Sequence, residues 1–471
     1  MMICRAPRTG LLIVVLFLSA SAAAQESPGP SAITDGPSRD ELLRAYRDVL
    51  AEQRALRERI AAQDAKIAAG EARQAASPGV QFGIGPDGFF LQTRDGGFQL
   101  RLRSVVQADG RAYLNEPQRQ ADTFLIRRAR LYVEGTIGDH FDYRLMPDFA
   151  GGQVQLLDAW VNLRFWKFFQ IRGGKFKSPF SLERLQQEQF VTFNERSLVS
   201  AIAPDRDIGA SVRGELARGT LAWDLAVLNG VADGQSADLD TSYGKDFFVR
   251  VFAHPFRPLK NKWLDNLGLG FAYSYGKQKG SAATTGLAAY KSGGQQTFFS
   301  WLVDPKGVTT VVANGDRWRL NPQLYAYVGI VGLLAEYVRA STDVTDGAHP
   351  GVVVNQAWNV QISAVLTGEN AAYDGVAPRR PFGVKQRGPG AFELAARVNE
   401  LRVDDRAFLG YADPNKSARR ALAWALQLNW YLSRNFRFGL MYERTIFDGG
   451  AASGGFRPTE NVLIGRLQAS F

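Results

Sequence analysis

From Ser38 onward the apolar positions of the chain first follow a helical period. Leu42, Tyr46, Val49, Gln53, Leu56, Ile60, Gln63 and Ile67 recur with spacings alternating four and three. That is a heptad seam, and it predicts an α-helical coiled coil over residues 38–76. Ser38-Arg39-Asp40-Glu41 opens it as a capping box, and Ser77-Pro78-Gly79 closes it. The two seam glutamines weaken the core but can fix register. An unpaired seam wants partner chains, so the segment predicts a homo-oligomer; a single exposed helix is the plainer alternative.

After residue 77 the period changes to two. Phe98, Leu100 and Leu102 alternate with Gln99, Arg101 and Arg103. Leu125, Ala129, Leu131, Val133 and Ile137 oppose Arg128, Arg130, Tyr132, Glu134 and Thr136. Phe141, Tyr143 and Leu145 oppose Asp142 and Arg144, and Leu157, Ala159, Val161 and Leu163 oppose Asp158, Trp160, Asn162 and Arg164. Such alternation marks strands with one apolar and one polar face. Sixteen are predicted: 98–114, 124–137, 141–149, 155–165, 168–175, 208–216, 220–228, 246–255, 267–275, 317–328, 330–339, 357–367, 391–403, 420–431, 436–444 and 461–471. Few helical stretches remain to cover so large an apolar surface, so lipid is its natural partner. The fold class is therefore all-β: a transmembrane sixteen-stranded antiparallel barrel, residues 77–471, behind a short helical coiled coil.

Connection lengths agree with that topology. Gly138-Asp139-His140, Trp166-Lys167, Ala217-Arg218-Gly219 and Ser433-Arg434-Asn435 are short turns after even strands. The longest connections, near 176–207, 229–245 and 276–316, follow odd ones. The exception is 368–390, long yet after an even strand. Residues 296–302 also alternate, and parity places them inside a loop. The final strand ends at Phe471, an aromatic terminus of the kind by which barrel assembly machinery recognises its clients.

The first residues read as a secretory leader. Arg5 and Arg8 precede an apolar run, Leu11–Ala20, and Ala22-Ala23-Ala24 supplies a cleavage site, leaving residues 1–24 as a signal peptide and 25–37 as a Pro/Gly/Ser-rich linker. The one cysteine, Cys4, lies in the leader, which excludes disulfides and thiolate chemistry from the mature chain. Net charge is +10, and losing Arg5 and Arg8 lowers it by two. The excess is spread along the chain, unlike a nucleic-acid binder's patch. His140, His254 and His349 lie apart and read as solvated; no metal, nucleotide or hydrolase motif accompanies them, so neither an enzyme nor a cofactor is expected.

One series of motifs carries a family resemblance. It runs Ile126-Arg127-Arg128-Ala129-Arg130-Leu131, Tyr143-Arg144-Leu145, Asp148-Phe149 and Asp158-Ala159-Trp160-Val161. It continues through Gly174-Lys175-Phe176-Lys177-Ser178-Pro179-Phe180, Asn194-Glu195-Arg196-Ser197-Leu198 and Asp205-Arg206-Asp207-Ile208-Gly209. It ends with Glu336-Tyr337-Val338 and Ala391-Phe392-Glu393-Leu394-Ala395-Ala396-Arg397. From about residue 80 to 471 the chain resembles the phosphate-selective porin O and P family of Gram-negative bacteria. The resemblance implies an outer-membrane homotrimer, one pore per protomer, and a third outward loop folded inward to narrow the channel. The strand count puts that loop at 176–207.

Arginine suits anions because its planar fork bonds them in pairs without losing charge. The candidate pore-lining and anion-binding residues are Arg101, Arg103, Arg128, Arg130, Arg144, Arg164, Lys175, Lys177 and Arg196. Arg172, Arg184 and Arg213 lie on the same faces and loop. Acids share these faces, including Asp109, Glu134, Asp142, Asp148, Asp158, Glu183, Glu188 and Glu195, so many charges could pair and stiffen the wall. Phosphate-specific members of the family are expected to carry a long ladder of alternating arginines. Here they come in pairs, Arg101/Arg103, Arg128/Arg130 and, at a strand edge, Arg317/Arg319. Three readings stay open: passage of small anions, phosphate or polyphosphate among them; a weakly selective channel for organic solutes; and a structural or adhesive barrel with a plugged lumen.

Overall fold

The computed structural model describes residues 38–76, 79–85, 87–114, 121–238, 244–261, 263–304, 309–383 and 387–471. The predicted signal peptide, its predicted cleavage near Ala24 and the predicted linker lie outside them. Two units are present, divided after Ser77.

In the first, a helix runs Arg39–Ala76. The capping box forms: Ser38 N–H donates to Glu41 Oε2 at 2.8 Å, and Glu41 N–H to Ser38 Oγ at 3.3 Å. Leu42, Tyr46, Val49, Leu56, Ile60 and Ile67 are all exposed within this chain.

The second unit is a closed antiparallel barrel of sixteen strands, β1 Phe98–Leu114, β2 Thr123–Ile137, β3 Phe141–Asp148, β4 Gln155–Trp166, β5 Phe169–Lys177, β6 Arg206–Leu216, β7 Leu221–Leu228, β8 Asp246–Ala253, β9 Leu267–Lys279, β10 Val312–Val328, β11 Val331–Thr345, β12 Pro350–Val365, β13 Ala391–Arg402, β14 Ala418–Tyr431, β15 Phe436–Gly449 and β16 Glu460–Ser470. Each pairs with its sequence neighbour, and β16 closes on β1 from Asn461↔Leu114 to Ser470↔Val105. Phe471 completes the seam by exchanging backbone hydrogen bonds with Ser104. Below that point the same edge of β1 takes an extra hairpin, Val80–Gly85 with Gly88–Thr93, paired Phe89↔Leu102 to Gln92↔Gln99. The segment 296–302 stays out of the wall; Thr297–Phe299 pairs with Tyr290–Lys291 inside the long loop after β9.

The two faces sort as the alternation predicts. On β15, Phe436, Phe438 and Leu440 are exposed outward, while Arg437, Met441 and Glu443 are buried inward. No described helix is long and apolar enough to cross a membrane; the strands are the candidates to do so. Two expectations need correction. Alternation puts Leu125 and Leu157 on the apolar face, but Leu125 lines a polar cavity with Arg111 and Arg130 while Phe124 and Ile126 are exposed, and Leu157, at an irregularity in the β3–β4 register, is buried against Val105, Tyr132 and Met146. Arg317 and Arg319 sit well inside β10, buried on Asp246, not at a strand edge.

Gly174 is a backbone requirement of the wall. Its φ is +123°, and a Cβ there would lie 2.2 Å from the carbonyl oxygen of Ala159 on β4. Gly174→Ala is expected to cut the yield of folded barrel, read as loss of the heat-modifiable band on gels, since neither the φ nor the backbone clash can relax without breaking the β4–β5 ladder.

Candidate functional site: the constriction loop and its charged wall

Residues 178–205, between β5 and β6, turn into the barrel. Phe180, Leu182, Phe193, Leu198 and Ile202 are buried there. Ser181 caps a single helical turn, Leu182–Leu185, accepting from the Arg184 N–H. The loop is tied to the wall at many points. Glu336 of β11 accepts from Ser181 Oγ, Leu182 N–H and Glu183 N–H at 3.1, 3.0 and 3.2 Å. Asn399 of β13 accepts from Leu198 N–H, and Gln427 of β14 from Asn194 N–H. Asn194 Nδ2 donates to the carbonyls of Gly439 and Ile464 on β15 and β16. A Cβ on Gly439 would stand 2.5 Å from Asn194 Oδ1, so glycine makes room for the loop tip. The long connection 366–390 reaches the same loop from the turn end: Tyr373 Oη donates to the Leu182 carbonyl at 2.6 Å, and Gln186 Nε2 to the Tyr373 carbonyl at 2.7 Å.

Two loop carboxylates gather the wall arginines. Glu188 takes Arg196 at 2.6 Å, Arg128 at 3.1 Å, Arg130 at 3.3 Å and Lys177 at 4.0 Å. Burial opposes its charge, but those four cations outweigh it and hold its carboxyl well below the usual range. Glu195 takes Arg127 and Arg111 at 2.7 Å each and Arg466 at 3.1 Å; again burial opposes, and the arginines keep it ionised far below the ordinary carboxylate range. Arg466 also forks onto Asp109 at 2.6 and 2.7 Å.

The structure places the predicted residues unevenly. Arg128, Arg130, Lys177 and Arg196 meet at Glu188. Arg103 and Arg144 share Glu134, each at 2.8 Å, and Arg144 lies 3.7 Å from Asp158. Arg164 pairs with Asp142 near the turn end, and Arg101 is exposed there. Lys175 stands apart from Lys177, bound to the Leu156 carbonyl and to Asp238. Other arginines escaped the sequence reading. Arg127 is quoted in the family motif but not among the candidates, because alternation points it outward. A β-bulge at Gln107/Ala108, where Gln107 faces Arg128 and Ala108 faces Ile126, turns Arg127 inward beside Arg128. The signal was the phase shift from Phe124 and Ile126 to Ala129 and Leu131. Arg206, Arg397, Arg437 and Arg466 are also buried and reach the loop or Asp158; apart from Asp205 beside Arg206, their partners lie too far off in sequence to be read.

Cavities flank the loop on two sides. One, of about 360 Å³, lies between the loop and the turn-end connection, and is lined by six basic side chains (Arg144, Arg172, Lys177, Arg206, Arg213 and Arg250) against Asp158, Glu188 and Asp224. The other, about 320 Å³, opens towards the outward loops and carries Arg127, Arg128, Arg184, Arg196 and Lys291 against Glu195 and Asp233. No group of His, Cys, Asp and Glu among the described residues could hold a metal ion.

A closed sixteen-stranded barrel narrowed by an inward loop has the architecture of an outer-membrane porin. Solved structures show the same fold: the outer membrane channel DcaP of Acinetobacter baumannii (TM-score 0.52, 10% identity, 81% of this chain and 99% of that one) and OmpF of Salmonella typhi, solved with daunomycin (TM-score 0.51, 11% identity, 80% and 99%). A protein of Caulobacter vibrioides is 26% identical over 368 residues, 74% of this chain and 68% of its own length. The model of the family "Phosphate-selective porin O and P" matches residues 98–471. The chain belongs to that family, and is an outer-membrane channel.

Proposed function

We propose that the protein is a passive channel that prefers small anions, phosphate or polyphosphate among them. The carrying observation is the sign of the constriction: the 360 Å³ and 320 Å³ cavities beside the loop hold about twice as many cations as carboxylates. Lining charge of one sign in a narrow watery path concentrates the opposite ion there. Most wall cations are paired, which argues for a general anion preference over a dedicated phosphate ladder. The weakly selective organic-solute channel is favoured by a separate observation, the apolar side chains that share the 360 Å³ cavity. The exposed heptad seam of Arg39–Ala76 supports a homotrimer joined by a periplasmic coiled coil, behind a cleaved leader; lipid and the assembly machinery acting on Phe471 complete its partners. The test is the reversal potential across a planar bilayer under a potassium chloride gradient. Chloride is expected to pass more readily than potassium; a preference for potassium overturns the reading.

A further inference from the structure

Within the cavity on the turn-end side of the loop, two arginines lack a carboxylate partner. The Arg172 side chain makes no hydrogen bond or ion pair among the described residues, and its buried Nε is unbonded. Its guanidinium lies 4.2 Å from the Trp160 ring centre and 5.7 Å from that of Phe176. Arg250 stands 4.9 Å over Phe252 and bonds only the Gln323 amide oxygen. The other bases are more closely engaged: Arg144 with Glu134, Arg206 with Asp158, Lys177 with the Gln186 carbonyl, and Arg213 more loosely with Asp224 at 3.8 Å.

Beside these bases, three carboxylates and Gln187, the lining offers an apolar and aromatic side. Met146 and Phe252 come from the wall, Leu182 and Leu185 from the constriction loop, and Tyr373 from the turn-end connection. Tyr373 is stacked on Tyr325 at 5.2 Å and 23° and hydrogen-bonded to Leu182, so this aromatic wall is held in place. An inorganic anion has no body to set against such a surface, and water beside it forgoes hydrogen bonds. A solute with a carboxylate at one end and a flat apolar body at the other would satisfy both halves. The volume, about 360 Å³, falls in the range of small-ligand pockets.

Deepening the anion-channel reading, on which it rests, we infer that this cavity is a binding station for an aromatic carboxylate of the benzoate class, with Arg172 and Arg250 taking the carboxylate and Phe252, Leu182 and Tyr373 the ring. The full chain in a planar bilayer tests it through block of the open-channel current. Benzoate at millimolar concentration is expected to lower the current; acetate, benzamide and inorganic phosphate at the same concentration are not. Equal block by acetate or phosphate would reduce the site to bare charge, equal block by benzamide would reduce it to an apolar surface, and no block by benzoate would remove it; each overturns the inference. Arg172→Gln is expected to raise the half-blocking benzoate concentration about tenfold, the size of one lost charge-assisted contact. Should that variant not fold, Arg250→Gln carries the same expectation, and an unchanged half-block overturns it. The reversal potential separates the two readings: chloride preference without benzoate block sinks only this site, while potassium preference sinks the anion channel.

Discussion

Replacing Glu188 by glutamine is expected to increase chloride preference and to make the open-channel current larger and noisier. Glu188 is the common partner of Arg128, Arg130, Arg196 and Lys177. Removing one partner from a buried ion pair costs roughly 3–5 kcal/mol, because the remaining charges stay buried without compensation. Here the four cations repel one another around a neutral amide, and the segment between Gln186 and Arg196 loses its electrostatic clamp. The barrel ladder does not involve Glu188, so the folded, heat-modifiable band should persist. Reversal potential and current noise measure the effect; wild-type values of both in the variant would show that the clamp does not act on the pore.

Acidity should act through the same group. The folded-state pKa of Glu188 is depressed, so its contribution is fully present above the ordinary glutamate value and is lost as pH falls through the lower folded value. The ion preference set by the Glu188 cluster should therefore hold from neutral pH down to about 4, where ordinary glutamates protonate, read as a constant reversal potential. Glu188→Gln should show at neutral pH the loosening that the wild type shows only in stronger acid.

The barrel was legible because each strand separates lipid from the polar interior one residue at a time. All sixteen strands were found in order, and the inward loop fell where the long connection after β5 begins. Strand ends were less legible. β10 starts at Val312, not 317, β11 runs to Thr345, not 339, and β12 starts at Pro350, not 357. At the loop end, strands run on into stretches such as Asn314-Gly315-Asp316 and Ser341-Thr342, where neither face is apolar and alternation fades. The site was legible in residue type and not in partnership. Arg128 and Arg130 were read as wall cations, yet what they do is set by Glu188, on a loop about sixty residues away. Asp109 and Arg466 are 357 residues apart and meet only because β16 closes on β1. The connection 366–390 broke the rule of short turns, and its length is explained by Tyr373 and Gly375 reaching the constriction loop.

Glu336→Leu is expected to enlarge the channel with little change in its ion preference, whereas Glu188→Gln moves both. Glu336 projects from β11 and accepts three donors at the start of the loop, Ser181 Oγ and the N–H groups of Leu182 and Glu183. Leucine keeps comparable volume and accepts nothing. Each orphaned buried donor then costs roughly 1–3 kcal/mol, enough together to detach the Leu182–Leu185 turn from the wall. That turn carries Arg184, whose guanidinium is tied to Asp205 and to the carbonyls of Ser200 and Gly234. Once the turn swings free, Arg184 becomes a trypsin site that the wild-type loop shields. Brief trypsin treatment should cut the variant there, and its single-channel conductance should rise. The loop's central carboxylates, Glu188 and Glu195, keep their arginines, so the sign of the lining is preserved and the reversal potential should move little. If conductance and trypsin resistance both matched the wild type, the anchors at Asn399, Gln427 and Gly439 would be sufficient without β11. If the reversal potential shifted as far as in Glu188→Gln, loop position and lining charge would be one property of this pore, where the geometry separates a hydrogen-bonded anchor of the Ser181–Leu185 turn on Glu336 from a cluster of cations on Glu188.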